Sequence, residues 1–187
     1  MPFIAIVFYT QTRIISFGVV LRAYMGLTCK KGHYNELIEK LLSMDIPKGN
    51  ISILYGPIDI FIKIDKLKNL NEFVKKWSTP IRMIGGEKKC LSKTTTYIVA
   101  IEGPEYSRPP SAFMFLDVEP QEVEKVQKKL LKFPQVISAD VVFGPCDLIV
   151  PIRANDQVEL EKAVEEIHDK VTGIEEAHTT VVAMMHF

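Results

Sequence analysis

Along residues 55–64, YGPIDIFIKI, apolar and polar positions alternate behind a tight Gly-Pro turn, and the pattern returns 88 residues later as FGPCDLIVPI at 143–152. Four of the ten positions are identical: Gly56/Gly144, Pro57/Pro145, Asp59/Asp147 and Ile64/Ile152. Of the rest, only Lys63 against Pro151 breaks the pairing of aromatic with aromatic or apolar with apolar. A repeat of this kind directs attention to what flanks it. An alternating run precedes each copy, AYMGLTC at 23–29 and AFMFLDV at 112–118, and a helix pattern follows each run. Tyr34, Leu37, Ile38, Leu41 and Leu42 fall at helical spacing in the first half, and Val123, Val126, Leu130 and Leu131 in the second. Glu119 and Pro120 predict the start of the later helix, and Pro47 and Pro134 the end of each. Two strands joined by the Gly-Pro turn come next. A second helix follows, with LNEFVKKW and LEKAVEEI aligning without gaps and Asn155 or Asp156 as the later cap. A Thr-rich strand ends each half, TTTYIVAI at 94–101 and HTTVVAMM at 178–185. The first half is longer before that strand, where Gly85-Gly86 predicts a turn.

The predicted order is therefore βαββαβ, twice: an α+β fold of tandem ferredoxin-like units, of the dimeric α+β barrel type. Residues 23–101 form the first unit and 112–187 the second, with 102–111, EGPEYSRPPS, as linker and 1–22 as an N-terminal strand pair or connector. Helices cover one face of such a sheet, and the other face needs cover too. The central hairpin strands are apolar on both faces, so the two halves are expected to pack sheet against sheet, as a covalently linked dimer. Their edge strands, with the apolar FIAIVFY near the N-terminus, predict further self-association.

Composition narrows the function. Lys plus Arg equals Asp plus Glu, 23 each, so no global basic field exists to hold a nucleic-acid backbone. The three cysteines, Cys29, Cys90 and Cys146, share no CxxC spacing, which predicts a reducing cytoplasm and neither a disulfide framework nor a zinc site. No histidine pair has ligand spacing; His178 and His186 share a strand face, and no metal or cofactor is expected. Gln11, Thr12 and Arg13 divide the apolar N-terminal run into pieces too short to cross a membrane as a helix.

Residues 112–187 resemble the effector-binding half of the Lrp/AsnC regulators, the RAM domain. The resemblance lies in AFMFLDVEPQEVEKVQKKLLKFPQVISADVVFGPCDLIVPI, then an Asp-led helix and a Thr-rich last strand. Residues 23–101 follow the same order more loosely, with TCKKG in place of the Glu-Pro start. The resemblance implies a regulatory module that senses a small molecule, typically an amino acid, and assembles into homo-oligomers. Only 22 residues precede the first repeat, without a pair of helix patterns, so no direct DNA binding is expected. Two other readings remain open: an enzyme of the dimeric α+β barrel type, or an adaptor pairing with full-length regulators of the family. The strand faces carry few polar residues, and the expectation is that the chain is not an enzyme.

In that family the Gly-x-x-Asp hairpin lines the effector pocket, at positions that match Gly56 and Asp59, and Gly144 and Asp147. Glycine lets backbone N–H groups approach a carboxylate, and an aspartate can pair with an ammonium group. The plainer reading is a tight turn in which Gly and Pro set the backbone and Asp bonds its own turn amides. Thr179 and Thr180 can offer hydroxyls to the same pocket, though threonine is also simply a good strand residue. Between the hairpins Asp147 is the expected binder, as a solvent-facing acid worth about 1 kcal/mol or less to folding. Cys146 in the turn lacks a neighbouring base, so no catalytic residue is expected.

Overall fold

The computed structural model describes residues 21–44, 46–87 and 90–183, so most of the 1–22 segment and His186 lie outside the described residues. Strand β1 (Leu21–Cys29) leads into helix α1 (Tyr34–Leu42) and strands β2 (Ile51–Ile53) and β3 (Ile60–Leu67). A helical segment of α2 (Leu70–Phe73), a π-helical turn (Val74–Ser78) and α3 (Thr79–Glu87) precedes β4 (Leu91–Ile101). The second half repeats the order as β5 (Ala112–Val118), α4 (Val123–Leu130), β6 (Asp140–Phe143), β7 (Leu148–Ile152), α5 (Gln157–Lys170) and β8 (Ile174–Val181).

The second helix of each half opens with the same device. Asn69 accepts from the Glu72 amide at 2.9 Å while Glu72 reaches back to the Lys68 amide at 2.7 Å. Asp156 accepts from Glu159 at 2.8 Å, and Glu159 accepts from the Asn155 amide at 2.7 Å. Each is a reciprocal capping box, satisfying amide groups that a helix start leaves unpaired. Two boundaries differ from the sequence expectation. Residues 119–122 form a turn, with Glu122 N–H donating to Glu119 O at 2.8 Å, and α4 begins only after it. The extra length of the first half is helical rather than a Gly-Gly turn: α3 runs through Gly85 and Gly86. The π turn ends at Ser78, two residues before Pro80, whose missing N–H breaks the regular ladder there. Gly85 serves close packing, since a Cβ there would lie 2.7 Å from Leu91 Cγ.

All eight strands pair antiparallel in the order β2-β3-β1-β4-β6-β7-β5-β8. The ends of that order also meet. Leu54 bridges Val182, Tyr55 N–H donates to Val181 O at 3.1 Å, and Ala183 N–H donates to Ile53 O at 2.8 Å. The sheet is thus a closed barrel, and a half-turn about its axis superposes the strand order of one half on that of the other. This corrects the expectation of two separate sheets. The inner faces do meet, but one continuous sheet carries them, because edge strands β2, β4, β6 and β8 satisfy their backbone groups in each other. Edge strands therefore give no motive for self-association.

Three apolar clusters fill the fold. Ile60, Ile62 and Ile64 face Leu37, Leu41, Phe73 and Trp77 outside the barrel, and Met114, Leu148 and Val150 face Val126, Leu130, Leu160 and Ile167. Inside, Tyr24, Phe61 and Tyr97 of the first half meet Phe113, Val142 and Ile149 of the second. Phe61 stacks on Tyr24 with centroids 5.2 Å apart and meets Phe113 edge-on at 4.9 Å.

Candidate functional site

The two hairpins are held by one arrangement used twice. Asp59 Oδ2 accepts from the Cys29 amide at 2.7 Å, and Asp147 Oδ2 accepts from the equivalent Val118 amide at 2.9 Å. Their own amides donate to Leu27 O at 3.0 Å and Leu116 O at 2.9 Å. Both acids are half-buried. Each ties its hairpin to the end of the neighbouring strand, which differs from both earlier readings: neither a solvent-facing acid nor one closing on its own turn.

Each hairpin also rests on the last strand of the opposite half. A Cβ on Gly56 would lie 3.1 Å from Thr180 Cγ2, and one on Gly144 would lie 2.6 Å from Tyr97 Cδ1. The strand registers make Tyr97 and Thr180 equivalent, since they pair with Tyr24 and Phe113. The six expected site residues therefore separate. Gly56, Thr179 and Thr180 meet at the β2–β8 seam, with Asp59 nearby in the same hairpin, whereas Gly144 and Asp147 belong to the β4–β6 seam. Alanine at Gly144 should cost about 1–3 kcal/mol, because the Tyr97 ring is wedged against Phe61 and cannot yield. Alanine at Gly56 should cost less, as a threonine methyl gives way more easily. Denaturation midpoints compare the two, and equal losses would argue against this packing.

The seams differ most deep inside the barrel. At β4–β6, Arg22 Nη1 donates to both carboxylate oxygens of the fully buried Asp140, at 2.8 and 3.0 Å, and its Nε donates to Asp65 at 2.8 Å. Tyr24 O–H and, at 2.7 Å, the Gly103 amide donate to the same Asp140. The linker closes this end: Lys63 Nζ donates to Tyr106 O, lies 3.8 Å from that ring's centre and pairs with Asp65 at 3.0 Å. Burial opposes the charge on Arg22, but Asp140 outweighs it and holds the guanidinium pKa above its usual value. At β2–β8 the equivalents are small: Ser111 occupies the place of Arg22 and Ser52 that of Asp140. One seam is locked by a buried ion pair, and the other is not.

Along the unlocked seam lies a groove of about 1240 Å³. Ile53, Leu160, Val164 and Val181 give it apolar walls, Asp156, Glu161 and Glu165 an acidic side, and Ser52, Ser111 and Thr179 hydroxyls. Sequence reasoning found only Thr179 among these. The missed signal was in the repeat itself, where serines stand opposite Arg22 and Asp140. Cys146 is buried and its thiol pushed up to about 12 by burial and by Asp117 and Asp147, so it stays protonated at neutral pH. His178 is exposed and paired with Glu176 at 2.9 Å. No group of three or more metal-ligating side chains is found among the described residues.

The model of the Lrp/AsnC ligand binding domain matches residues 111–185. An uncharacterized HTH-type transcriptional regulator of Pyrococcus horikoshii is 34% identical over 71 residues, 38% of this chain and 45% of that protein. The HTH-type transcriptional regulator FL11 of Pyrococcus furiosus is 28% identical over 75 residues, 40% of this chain and 49% of its own. The chain thus spans about half the length of the curated relatives it matches. Among solved structures, a siroheme decarboxylase, NirDL, in complex with an iron-uroporphyrin III analogue aligns with 88% of this chain and 72% of its own, at TM-score 0.66 and 8% identity. An anthrone oxidase-like protein aligns with 91% of this chain and 93% of its own, at TM-score 0.51 and 10% identity. At such identities the likeness is one of fold, and it takes in both halves. Residues 111–185 are thus similar to the Lrp/AsnC ligand binding domain, and the described part of that segment has the βαββαβ order.

Proposed function

We propose that the chain is a regulatory module that senses a small molecule, and that the β2–β8 groove is its effector pocket. The observation that carries this reading is the asymmetry of the seams: the same two-fold frame is locked by Arg22–Asp140 on one side and left with serines and a 1240 Å³ groove on the other. The lining suits an amino acid. Glu161, Glu165 and Asp156 can face its ammonium group, the aliphatic wall its side chain, and the hydroxyls of Thr179 and Ser52 can donate to its carboxylate. Gly56 lets the hairpin sit close over Thr180 beside this groove. Asp59 and Asp147 have the separate task of fixing the hairpins. The aromatic filling of the barrel supports a non-catalytic role over the enzymatic one.

The test is a thermal-shift screen of the twenty amino acids. At about 100-fold its dissociation constant a ligand adds roughly 2.7 kcal/mol, a shift of several degrees. At least one amino acid should raise the melting temperature, and Val164→Arg, which fills the groove, should abolish that shift. A response that survives Val164→Arg, or none from any of the twenty, would count against the groove as an amino-acid site.

A further inference from the structure

Between the linker and the first half lies a second cavity, of about 410 Å³, which shares only Gly49 with the groove. Trp77 and Ile46, both buried, give it an apolar wall, and the buried Lys63 stands in its lining. One side of it is a β-bulge. Where β1 passes from Ala23 to Leu21, β3 passes from Ile64 to Leu67, so β3 carries one residue more. Lys66 absorbs the irregularity at φ 59°, in the left-handed region that a lysine rarely enters. Bulges re-aim side chains and strain gathers at sites of use; here Asp65 and Lys66 both come to line the cavity. The equivalent β5–β7 ladder of the second half runs without such a shift.

We propose that this cavity is a second binding site, for a small carboxylate with a flat apolar body. The hydrogen-bonding groups that line it decide the charge of the ligand. Asp65 already accepts from Arg22 with one oxygen, at 2.8 Å, and pairs with Lys63 through the other, at 3.0 Å. Glu105 is exposed and faces Lys66 at 3.9 Å. Donors are in better supply. They are the Lys63 ammonium, the Asn50 amide, whose contact with Asp65 is a long 3.4 Å, and the Ser107 hydroxyl. A carboxylate accepts from Lys63 and Ser107 while its body lies against Trp77 and Ile46, in a space of the size that small ligands fill. An amine in the same place meets donors rather than acceptors. The inference rests on the cavity and the bulge and not on the effector reading, so either can fail alone.

Trp77 is the only tryptophan in the chain, so its fluorescence reports on this cavity. Benzoate is the probe, and benzylamine, with the same ring and the opposite charge, is the control. Benzoate should change the Trp77 emission in a saturable way, and benzylamine should not. Ser107→Glu, at an exposed position, sets a like charge beside the carboxylate and should weaken benzoate about tenfold or more, with an unchanged circular dichroism spectrum. Lys63→Gln removes the ammonium and should do the same; if that buried change unfolds the chain, Ser107→Glu decides. Val164→Arg, which fills the effector groove, should leave the benzoate response as it is. No saturable change with benzoate, an equal response to benzylamine, an affinity that survives Ser107→Glu, or a response lost in Val164→Arg would overturn the proposal.

Discussion

Replacing Asp140 with alanine should lower stability by about 3–5 kcal/mol, the largest loss expected from any single substitution in this chain. The carboxylate is fully buried and accepts from Arg22, Tyr24 and the Gly103 amide together. Its removal leaves a guanidinium only 3% exposed with Asp65 at 2.8 Å and the half-exposed Glu102 at 4.0 Å as its remaining acids, and takes the acceptor from the Gly103 amide. Breaking one side of a buried pair is costly for this reason, more than the pair itself is worth. For a domain of this size the loss corresponds to roughly 6–20 °C in melting temperature. Arg22→Met together with Asp140→Leu should recover part of it, since neither charge is then left alone. Urea midpoints read both effects, and an Asp140→Ala loss below about 1 kcal/mol would show that the pair does not lock the β4–β6 seam.

Asp147→Ala should also unfold the protein more easily, by about 1.5–3 kcal/mol, the usual cost of losing a hydrogen bond to a charged group. Its carboxylate accepts from Val118 at 2.9 Å and fixes the hairpin that carries Gly144 onto Tyr97. Asp59→Ala, acting on the Cys29 amide, should cost a similar amount. Asparagine separates this role from ligand pairing. Its side-chain oxygen still accepts from the amide, so Asp147→Asn should restore most of the stability, yet it could not pair with an ammonium ion. An Asp147→Ala variant as stable as the parent would return the acid to the solvent-facing role that its place in a turn suggests.

Much of the architecture was legible in the sequence because it is written twice. The doubled Gly-Pro-x-Asp hairpin and the Asp156 cap reappear in the structure, and so do the second helices, but their matching caps, Asn69 and Asp156, set Leu70 against Gln157 rather than Leu160. The barrel type was legible, but which strands close it into one continuous sheet was not. Pairing of β4 with β6 and of β2 with β8 depends on contacts across more than a hundred residues in the second case, and no local pattern records them. The paired glycines at 85–86 suggested a turn, but packing against Leu91 favours helix there. The candidate groove was half visible. Gly56, Thr179 and Thr180 do converge, while the features that separate the seams come from mismatches between the copies: Ser52 against Asp140, Ser111 against Arg22 and Thr180 against Tyr97. A repeat is first read for what its copies share, and here the function is argued from where they differ.

Methyl-resolved NMR on valine- and leucine-labelled protein, titrated with the twenty amino acids in turn, tests the central claim most directly. For at least one of them the methyl signals of Leu160, Val164 and Val181 should move in a saturable way, while Val99 and Val142 at the locked seam stay in place. Perturbations centred on Val99 and Val142, or none with any of the twenty, would contradict the assignment of the β2–β8 groove as the amino-acid effector site.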